Sequence, residues 1–176
     1  QTGLPADNKT LREQIFGGSL FLSPSTRLSL AFVEKVKALI AEVLNISDIR
    51  NAHNELDDDA FFDGIGKLRR IIYLDETYQR LTFDILESCG FERAKLAFDP
   101  FRLRVVTPHG HENPKASPVY FPHRDTWYAH PQSLIVLWIP LHDLREEETF
   151  AFYPDFFCKE VPNNSEVFDY SEWIKD

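Results

Sequence analysis

The sequence is poor in several residue types that define particular protein classes. It contains no methionine, two cysteines among 176 residues, and no apolar run long enough to cross a bilayer. Cys89 and Cys158 lie too far apart to indicate a disulfide framework or a cysteine-rich zinc cluster. The first twenty residues lack the charged start and apolar stretch of a signal peptide. We therefore predict a reducing, cytoplasmic location and, because methionine is missing even at position 1, a trimmed or partial chain.

Basic residues are also scarce relative to acidic ones. Lys and Arg total 19 against 28 Asp and Glu, which leaves a formal net charge of -9. An acidic surface repels phosphate backbones and anionic lipid headgroups, so we expect neither nucleic acid nor a membrane as a partner. We expect a small-molecule partner instead, and the sequence does not indicate an oligomeric state. The length and the 43% hydrophobic content favour a single domain over residues 1–176 with its own core.

Residues 1–97 form a predicted helical section. Its first clear helix is predicted from about Pro24 to Asn45, with Ser23 as the N-cap and Pro24 in the first turn. Apolar residues then repeat every three or four positions, which indicates one buried stripe along the helix. The members of this stripe are Leu28, Phe32, Val36, Leu39, Ile40 and Val43.

Two further helices are predicted in the same section. One runs from about Asp58 to Tyr73, and the other begins after Asp75 as its cap and stops at Gly90. The second of them has a predicted buried face made of Tyr78, Leu81, Ile85 and Leu86.

Residues 98–176 form a predicted β section, because the period of the apolar pattern changes to two after residue 97. The segments that predict strands are "FRLRVV", "VYFPHRDTW", "SLIVLWIPL" and "TFAFYP". Closely spaced strands with short turns favour an antiparallel sandwich or barrel preceded by helices. We expect Phe101, Leu103, Ile135 and Leu137 to be largely buried in it.

His123, Arg124 and Asp125 form the motif with the most chemical content. The catalytic loop of a kinase also contains His-Arg-Asp, but this chain lacks the glycine-rich loop, the strand lysine and the Asp-Phe-Gly that must accompany it. On a strand, residues two apart share a face, so His123 and Asp125 are expected to project together. They would supply two of the three ligands of a 2-His-1-carboxylate site for non-haem Fe(II). The alternative is an Asp–His hydrogen bond at an exposed strand end.

The segment around this motif resembles the Fe(II)/2-oxoglutarate-dependent dioxygenases, in particular the phytanoyl-CoA-dioxygenase-like group. The resemblance covers about residues 98–170 and rests on the His-x-Asp motif, the "DTWY" after it, "PQ", "WIPLHD" and "TFAFYP". It implies a double-stranded β-helix, which is a jelly-roll, cupin-like barrel. It also implies that His123 and Asp125 are catalytic metal ligands. The cofactor would be Fe(II), with 2-oxoglutarate as co-substrate in the oxidation of a small molecule by O₂.

Three further residues are candidates for co-substrate binding. Arg104 offers a guanidinium that pairs bidentately with a carboxylate, although an outward salt bridge to the acidic helices is an equal alternative. Gln132 opens a predicted strand whose alternating face includes Trp138. Both residues are expected to line the wall that would face 2-oxoglutarate.

The chain departs from the family pattern after Asp125. The family has a second, distal histidine followed by a basic residue, whereas only His130 and His142 follow here, and both are expected to be solvent-exposed. The barrel is therefore predicted to be incomplete, through truncation or degeneration, unless a partner chain completes the site. In a truncated barrel the strand after "TFAFYP" would have an open edge, whereas in a degenerate one Phe168, Tyr170 and Trp173 would cover it.

Two other functions remain open from the residues alone. A cupin-type metalloprotein would use His109 and His111 together with His123 and Asp125, although the "PHGHENPKASP" loop equally suits surface histidines. A non-catalytic β-barrel that binds a ligand or partner is the other alternative.

Overall fold

The computed structural model describes residues 3–5, 7–128, 130–167 and 169, and the side chains of 118 and 119 are not described. Within that part of the chain no helix is both long and apolar enough to cross a membrane. Its α-helices all precede residue 90: α1 (Asn8–Phe16), α2 (Arg27–Leu44), α3 (Ala52–Glu55), α4 (Asp58–Leu74) and α5 (Glu76–Ser88). The remainder alternates extended segments with short 3₁₀ turns at Arg93–Lys95, Gly110–Glu112, Ser117–Tyr120, Asp125–Tyr128, Glu146–Glu148, Pro154–Phe156 and Ser165–Val167.

The predicted first long helix is confirmed as α2, but it begins at Arg27 and not at Pro24. Thr26, not Ser23, is the N-cap. The Thr26 hydroxyl accepts the Ser29 amide at 3.1 Å, while the Ser29 hydroxyl accepts the Thr26 amide at 2.8 Å. This reciprocal pair satisfies two amides that a helix start otherwise leaves without partners. The helix ends at Leu44, and the left-handed φ of 52° at the C-cap residue Asn45 stops it there.

The two other predicted helices are confirmed as α4 and α5. The Asp57 carboxylate caps α4 by accepting the Ala60 amide at 2.8 Å. Asp75 caps α5, as predicted, by accepting the Thr77 amide at 2.7 Å. Gly90 follows α5 with a φ of +94°, a conformation that costs glycine least.

The core lies where α2, α4 and α5 pack together. Three consecutive turns of α4 contribute Ile65, Leu68 and Ile72, of which Leu68 is fully buried. The apolar stripe of α2 faces them, although Leu28, predicted to be buried, is 40% exposed. The buried members from the three helices are Phe32, Val36, Ile40, Leu44, Phe61, Ile65, Leu68, Ile72, Tyr78 and Ile85.

The prediction of a mainly β, double-stranded β-helix fold (jelly-roll, cupin-like, complete or incomplete) is wrong. The described residues form no sheet, and their only strand-like position is an isolated bridge at Leu22. Segment 101–106 shows the physical reason. Its burial alternates as a strand's would, with Leu103 buried and Arg104 exposed, but the inward side packs on the helices. The Phe101 ring meets the Phe32 ring edge-to-face at 4.8 Å.

The other predicted strands also lack partners among the described residues. Ile135 is half-buried, but Leu137, predicted to be buried with it, is 47% exposed. The segment around residues 119–127 turns instead of extending, since Pro122 has no amide to donate and a 3₁₀ turn begins at Asp125. Among the described residues, the α-helices all lie within the predicted helical section 1–97, and the section 98–176 forms no β-barrel. The predicted cover by Phe168, Tyr170 and Trp173 lies outside the described residues.

A row of exposed aromatic side chains lies along the second half of the chain. Trp138 packs edge-to-face on Phe150 at 5.0 Å, Phe150 on Phe152 at 5.2 Å, and Phe152 on Phe157 at 6.4 Å. Trp138, Phe150 and Phe152 are each about half exposed, at 47%, 50% and 46%. This aromatic row is thus held together by its own ring contacts while one side of it faces solvent.

The two glycines inside α4 offer a matched test of the packing. A Cβ at Gly66 meets nothing within 4 Å, whereas a Cβ at Gly64 collides with Leu44 Cδ2. Gly66→Ala is expected to raise the free energy of unfolding by up to about 1 kcal/mol, because alanine is the better helix former. Gly64→Ala should be less stable than Gly66→Ala by at least about 1 kcal/mol, since Leu44 must move within a packed core. Urea unfolding measures both; equal stabilities would contradict the α2–α4 packing.

The cap of α5 predicts a pH dependence. The Thr77 amide holds the pKa of Asp75 below its ordinary value of 3.8. The stability from this cap is therefore present above that value and is lost as the pH falls through the lower folded-state pKa. Asp75→Asn keeps an oxygen that caps the helix but removes the titration. Its unfolding midpoint in urea should decline less steeply than that of the wild type below about pH 4. Asp63→Asn is the control, because Asp63 caps no helix; its unfolding midpoint should depend on pH as that of the wild type does. The same pH dependence in Asp75→Asn as in the wild type would refute the role of the Asp75 cap.

Candidate functional site

His123 and Asp125 lie side by side at the start of a turn. The chain is extended through His123 and enters the 3₁₀ turn Asp125–Tyr128, in which the Trp127 amide donates to the Arg124 carbonyl at 2.9 Å. His123 Nε2 lies 3.6 Å from Asp125 Oδ1. The two side chains therefore lie close together, but in a turn and not on a shared strand face, and they do not face the interior of a barrel as predicted.

The second ring nitrogen of His123 is already engaged. Nδ1 lies 2.8 Å from the Phe121 carbonyl oxygen. A carbonyl only accepts hydrogen bonds, so Nδ1 carries a proton in this arrangement. In the neutral ring Nε2 then carries the lone pair beside the Asp125 carboxylate, an arrangement that a metal ion or a water molecule between the two atoms would stabilise. The Tyr128 ring supports the imidazole from the side, with centroids 5.4 Å apart.

The site is only partly shielded from solvent. The His123 side chain is 24% exposed and that of Asp125 is 43% exposed. A small cation or molecule therefore has direct access to the gap between Nε2 and Oδ1.

Arg124, between the two candidate ligands, makes structural contacts instead. Its guanidinium donates to the Phe156 carbonyl and, at 2.5 Å, to the Lys159 carbonyl. It thereby holds the turn at 154–159 against the site. The same turn contacts the end of α1, because the Cys158 thiol lies 3.9 Å from the Phe16 carbonyl. The sequence analysis gave Arg124 no role of its own; the nearby turn residues Pro122 and Asp125 were the available signal.

A groove lies directly beside the turn. Two clefts of about 120 Å³ and 410 Å³ share Trp127 and Asn163 as lining residues. Tyr128 lines the smaller cleft, and Arg124 lines the larger. We call these two clefts the Trp127 groove. Since Tyr128 also packs on His123, the groove opens next to the candidate ligands and has aromatic and amide groups in its wall.

The three predicted co-substrate residues lie in other surroundings. Arg104 is exposed beside α4, Gln132 is exposed in a turn, and Trp138 belongs to the aromatic row. Within the described residues no hydrogen bond, ion pair or ring contact joins any of them to His123 or Asp125. Their part in binding 2-oxoglutarate remains a prediction.

The other histidines do not complete a metal site. His109 Nδ1 and His111 Nε2 lie 3.6 Å and 3.7 Å from the same Glu112 oxygen, in an exposed loop. Throughout the described ranges there is no group of three or more His, Cys, Asp or Glu side chains that could hold a metal ion. The four-ligand cupin arrangement is therefore not assembled in this part of the chain. His130 and His142, predicted to be solvent-exposed, are each half-buried.

The chain matches no family model, no curated protein and no solved structure. The resemblance to Fe(II)/2-oxoglutarate oxygenases therefore stays a prediction from the residues.

The contacts of Arg124 predict protection of the chain at Lys159. Arg124→Gln removes the hydrogen bonds from a charged donor to the Phe156 and Lys159 carbonyls, each contributing about 1.5–3 kcal/mol. The rate of trypsin cleavage after Lys159 in this variant should therefore rise by about tenfold or more over the wild-type rate. Mass spectrometry of the fragments over time measures that rate. Arg102→Gln is the matched control, because Arg102 makes only a 3.9 Å ion pair to Asp99. Cleavage after Lys159 at the wild-type rate in Arg124→Gln would show that the contact does not hold the turn.

Proposed function

We propose that this protein is a non-haem Fe(II)/2-oxoglutarate-dependent oxygenase that oxidises a small molecule, with His123 and Asp125 as metal ligands. The observation that carries the proposal is the 3.6 Å approach of His123 Nε2 to Asp125 Oδ1 while His123 Nδ1 is engaged by a backbone carbonyl. Among the described residues, His109 and His111 also lie 3.6 Å and 3.7 Å from a carboxylate, that of Glu112, but they are not part of the His-x-Asp motif.

The geometry of the pair fits a metal ion. Bonds of about 2.1 Å from one ion place a nitrogen and an oxygen ligand about 3.0–3.4 Å apart. The gap of 3.6 Å closes to that range with a small rotation of either side chain. Metal-binding histidines characteristically donate their other N–H to a carbonyl or carboxylate, which fixes the ring and its tautomer. The Phe121 carbonyl is such a partner for His123.

The residues define what the chain itself contributes. His123 and Asp125 would hold Fe(II), which when bound supplies the site where 2-oxoglutarate and O₂ react. Tyr128 keeps the imidazole in place, and Arg124 holds the neighbouring turn. A 2-His-1-carboxylate site needs one more histidine, and none lies within reach among the described residues. The two ligands alone are therefore expected to bind Fe(II) weakly.

The Trp127 groove is the proposed substrate site. Its walls combine the aromatic rings of Trp127 and Tyr128 with the polar backbone and side chains around Asn163. Apolar walls with a few hydrogen-bonding groups suit a small organic molecule. Two unpaired cysteines and an oxidisable metal both fit a reducing compartment, so we place the proposed enzyme in the cytoplasm.

Anaerobic titration with Fe(II) tests the metal site. His123→Ala and Asp125→Asn should each weaken binding by at least about tenfold, a loss seen even when a supporting residue of a metal site is removed. His142→Ala and Asp143→Asn are matched controls: His142 Nδ1 also lies 2.9 Å from a carbonyl, that of Asp143, but no carboxylate partner faces its ring within the described residues. Equal affinity in all four variants would overturn the assignment of the ligands.

Addition of 2-oxoglutarate separates the oxygenase from other metalloproteins. Only the oxygenase predicts that the keto-acid and Fe(II) bind together and give a weak visible charge-transfer band without O₂. Fe(II) binding that 2-oxoglutarate leaves unchanged would favour a metal-binding protein of another kind. A chain that binds neither would favour a non-catalytic binding protein.

A further inference from the structure

Arg69 is a basic residue whose guanidinium is anchored to the backbone. It lies on α4, and its Nε donates to the Leu103 carbonyl at 3.2 Å. Leu103 is the buried residue of the extended segment 101–106. This hydrogen bond therefore holds the Arg69 guanidinium beside the extended segment, where the segment packs on α4. It uses only Nε, so the two terminal nitrogens retain their N–H groups for another acceptor.

A second arginine lies at the same place. Arg104 follows the anchoring residue in the chain, and because burial alternates along this segment its side chain is exposed. Partial burial of the guanidinium lowers the pKa of Arg69, and the nearby charge of Arg104 lowers it further. The Leu103 carbonyl that accepts from Arg69 belongs to the peptide bond that leads into Arg104, so the geometry itself places both arginines at the junction of α4 and the extended segment.

No acidic side chain offsets this repulsion within the described residues. Several other arginines of the chain have carboxylate partners: Arg50 lies 2.5 Å from Glu148, and Arg93 lies 3.3 Å from Asp84. Arg69 and Arg104 form no ion pair in the described part of the chain, although the protein carries a net charge of -9. The junction therefore has two positive charges, one of them fixed in orientation, and no internal counter-charge.

We propose that Arg69 and Arg104 form a binding site for a small oxyanion, a phosphate or a carboxylate. The free edge of the anchored Arg69 guanidinium presents parallel N–H donors, which suit two oxygens of one anion. Arg104 contributes the second charge from the adjacent residue. Binding of the anion removes the repulsion between the two arginines.

The site suits a small anion and not a polymer. The excess of acidic residues repels nucleic acid and anionic membranes over the surface as a whole. A single small anion avoids that long-range repulsion and interacts only with the local pair. This site lies where α4 meets the extended segment 101–106 and is independent of the proposed metal site at His123 and Asp125, so either assignment can fail without the other.

Calorimetric titration with inorganic phosphate and, separately, with succinate tests the proposal in the full chain. Arg69→Gln and Arg104→Gln should each weaken binding by about tenfold, the effect expected from losing a charge-assisted hydrogen bond. Arg70→Gln is the matched control on the same helix, since Arg70 has no hydrogen bond or ion pair among the described residues, and its affinity should stay within about twofold of the wild type. Preference for phosphate or for succinate identifies which class of oxyanion the site takes.

Arg104→Gln keeps the test valid if loss of the Arg69 anchor destabilises the fold, because Arg104 makes no hydrogen bond to the backbone within the described residues. Arg69→Lys is the second variant, because it keeps the charge but loses the planar guanidinium with its parallel N–H donors. It should bind phosphate less tightly than wild type and more tightly than Arg69→Gln. Wild-type affinity in Arg104→Gln would overturn the proposal. So would an equal loss in Arg70→Gln, or failure of the wild-type protein to bind either anion.

Discussion

The packing of Phe101 and Leu103 on the helices is the contact on which the second half of the chain depends. Leu103 is 8% exposed, and Phe101 meets the rings of Phe32 and Tyr78 edge-to-face at 4.8 Å and 5.9 Å. Such aromatic pairs add about 0.5–1.5 kcal/mol each beyond the apolar area that they bury. The described residues after 106 form no sheet and only short turns, so contacts with the helices hold that half in place. Ile139 and Leu141 also pack against the core, but segment 101–106 contributes the buried apolar residue of that half, Leu103. The anchoring of Arg69 to the Leu103 carbonyl reinforces the same point.

The helices were predictable because their signals are local. Apolar residues every three or four positions and an aspartate before each run define α4 and α5 within a few residues of their true ends. The start of α2 was missed because Ser23 and Thr26 both suit an N-cap, and only the reciprocal bond to Ser29 decides between them. The β section was mispredicted for a different reason. Alternating burial in segment 101–106 is real, but the pattern does not say whether its apolar side packs on another strand or on helices.

The candidate site was only partly predictable from the sequence. Two residues apart on the chain, His123 and Asp125 are neighbours in either a strand or a turn, so their proximity did not depend on the correct fold. The partners of Arg124 are 32 and 35 residues away, and no local pattern indicates them. Arg104, Gln132 and Trp138 were assigned to one wall on the assumption of a barrel. Without that barrel, nothing in their spacing brings them together.

The aromatic row has a consequence for how the protein behaves in solution. Trp138, Phe150 and Phe152 present apolar surface to water, and exposed apolar patches promote association between molecules. Like-charge repulsion from the net charge of -9 opposes that association over distances of about 10 Å at an ionic strength of 0.1 M. Added salt screens the repulsion but not the attraction between the rings. We therefore expect charge repulsion to keep molecules of this chain apart in dilute buffer, and high salt concentrations to favour their association.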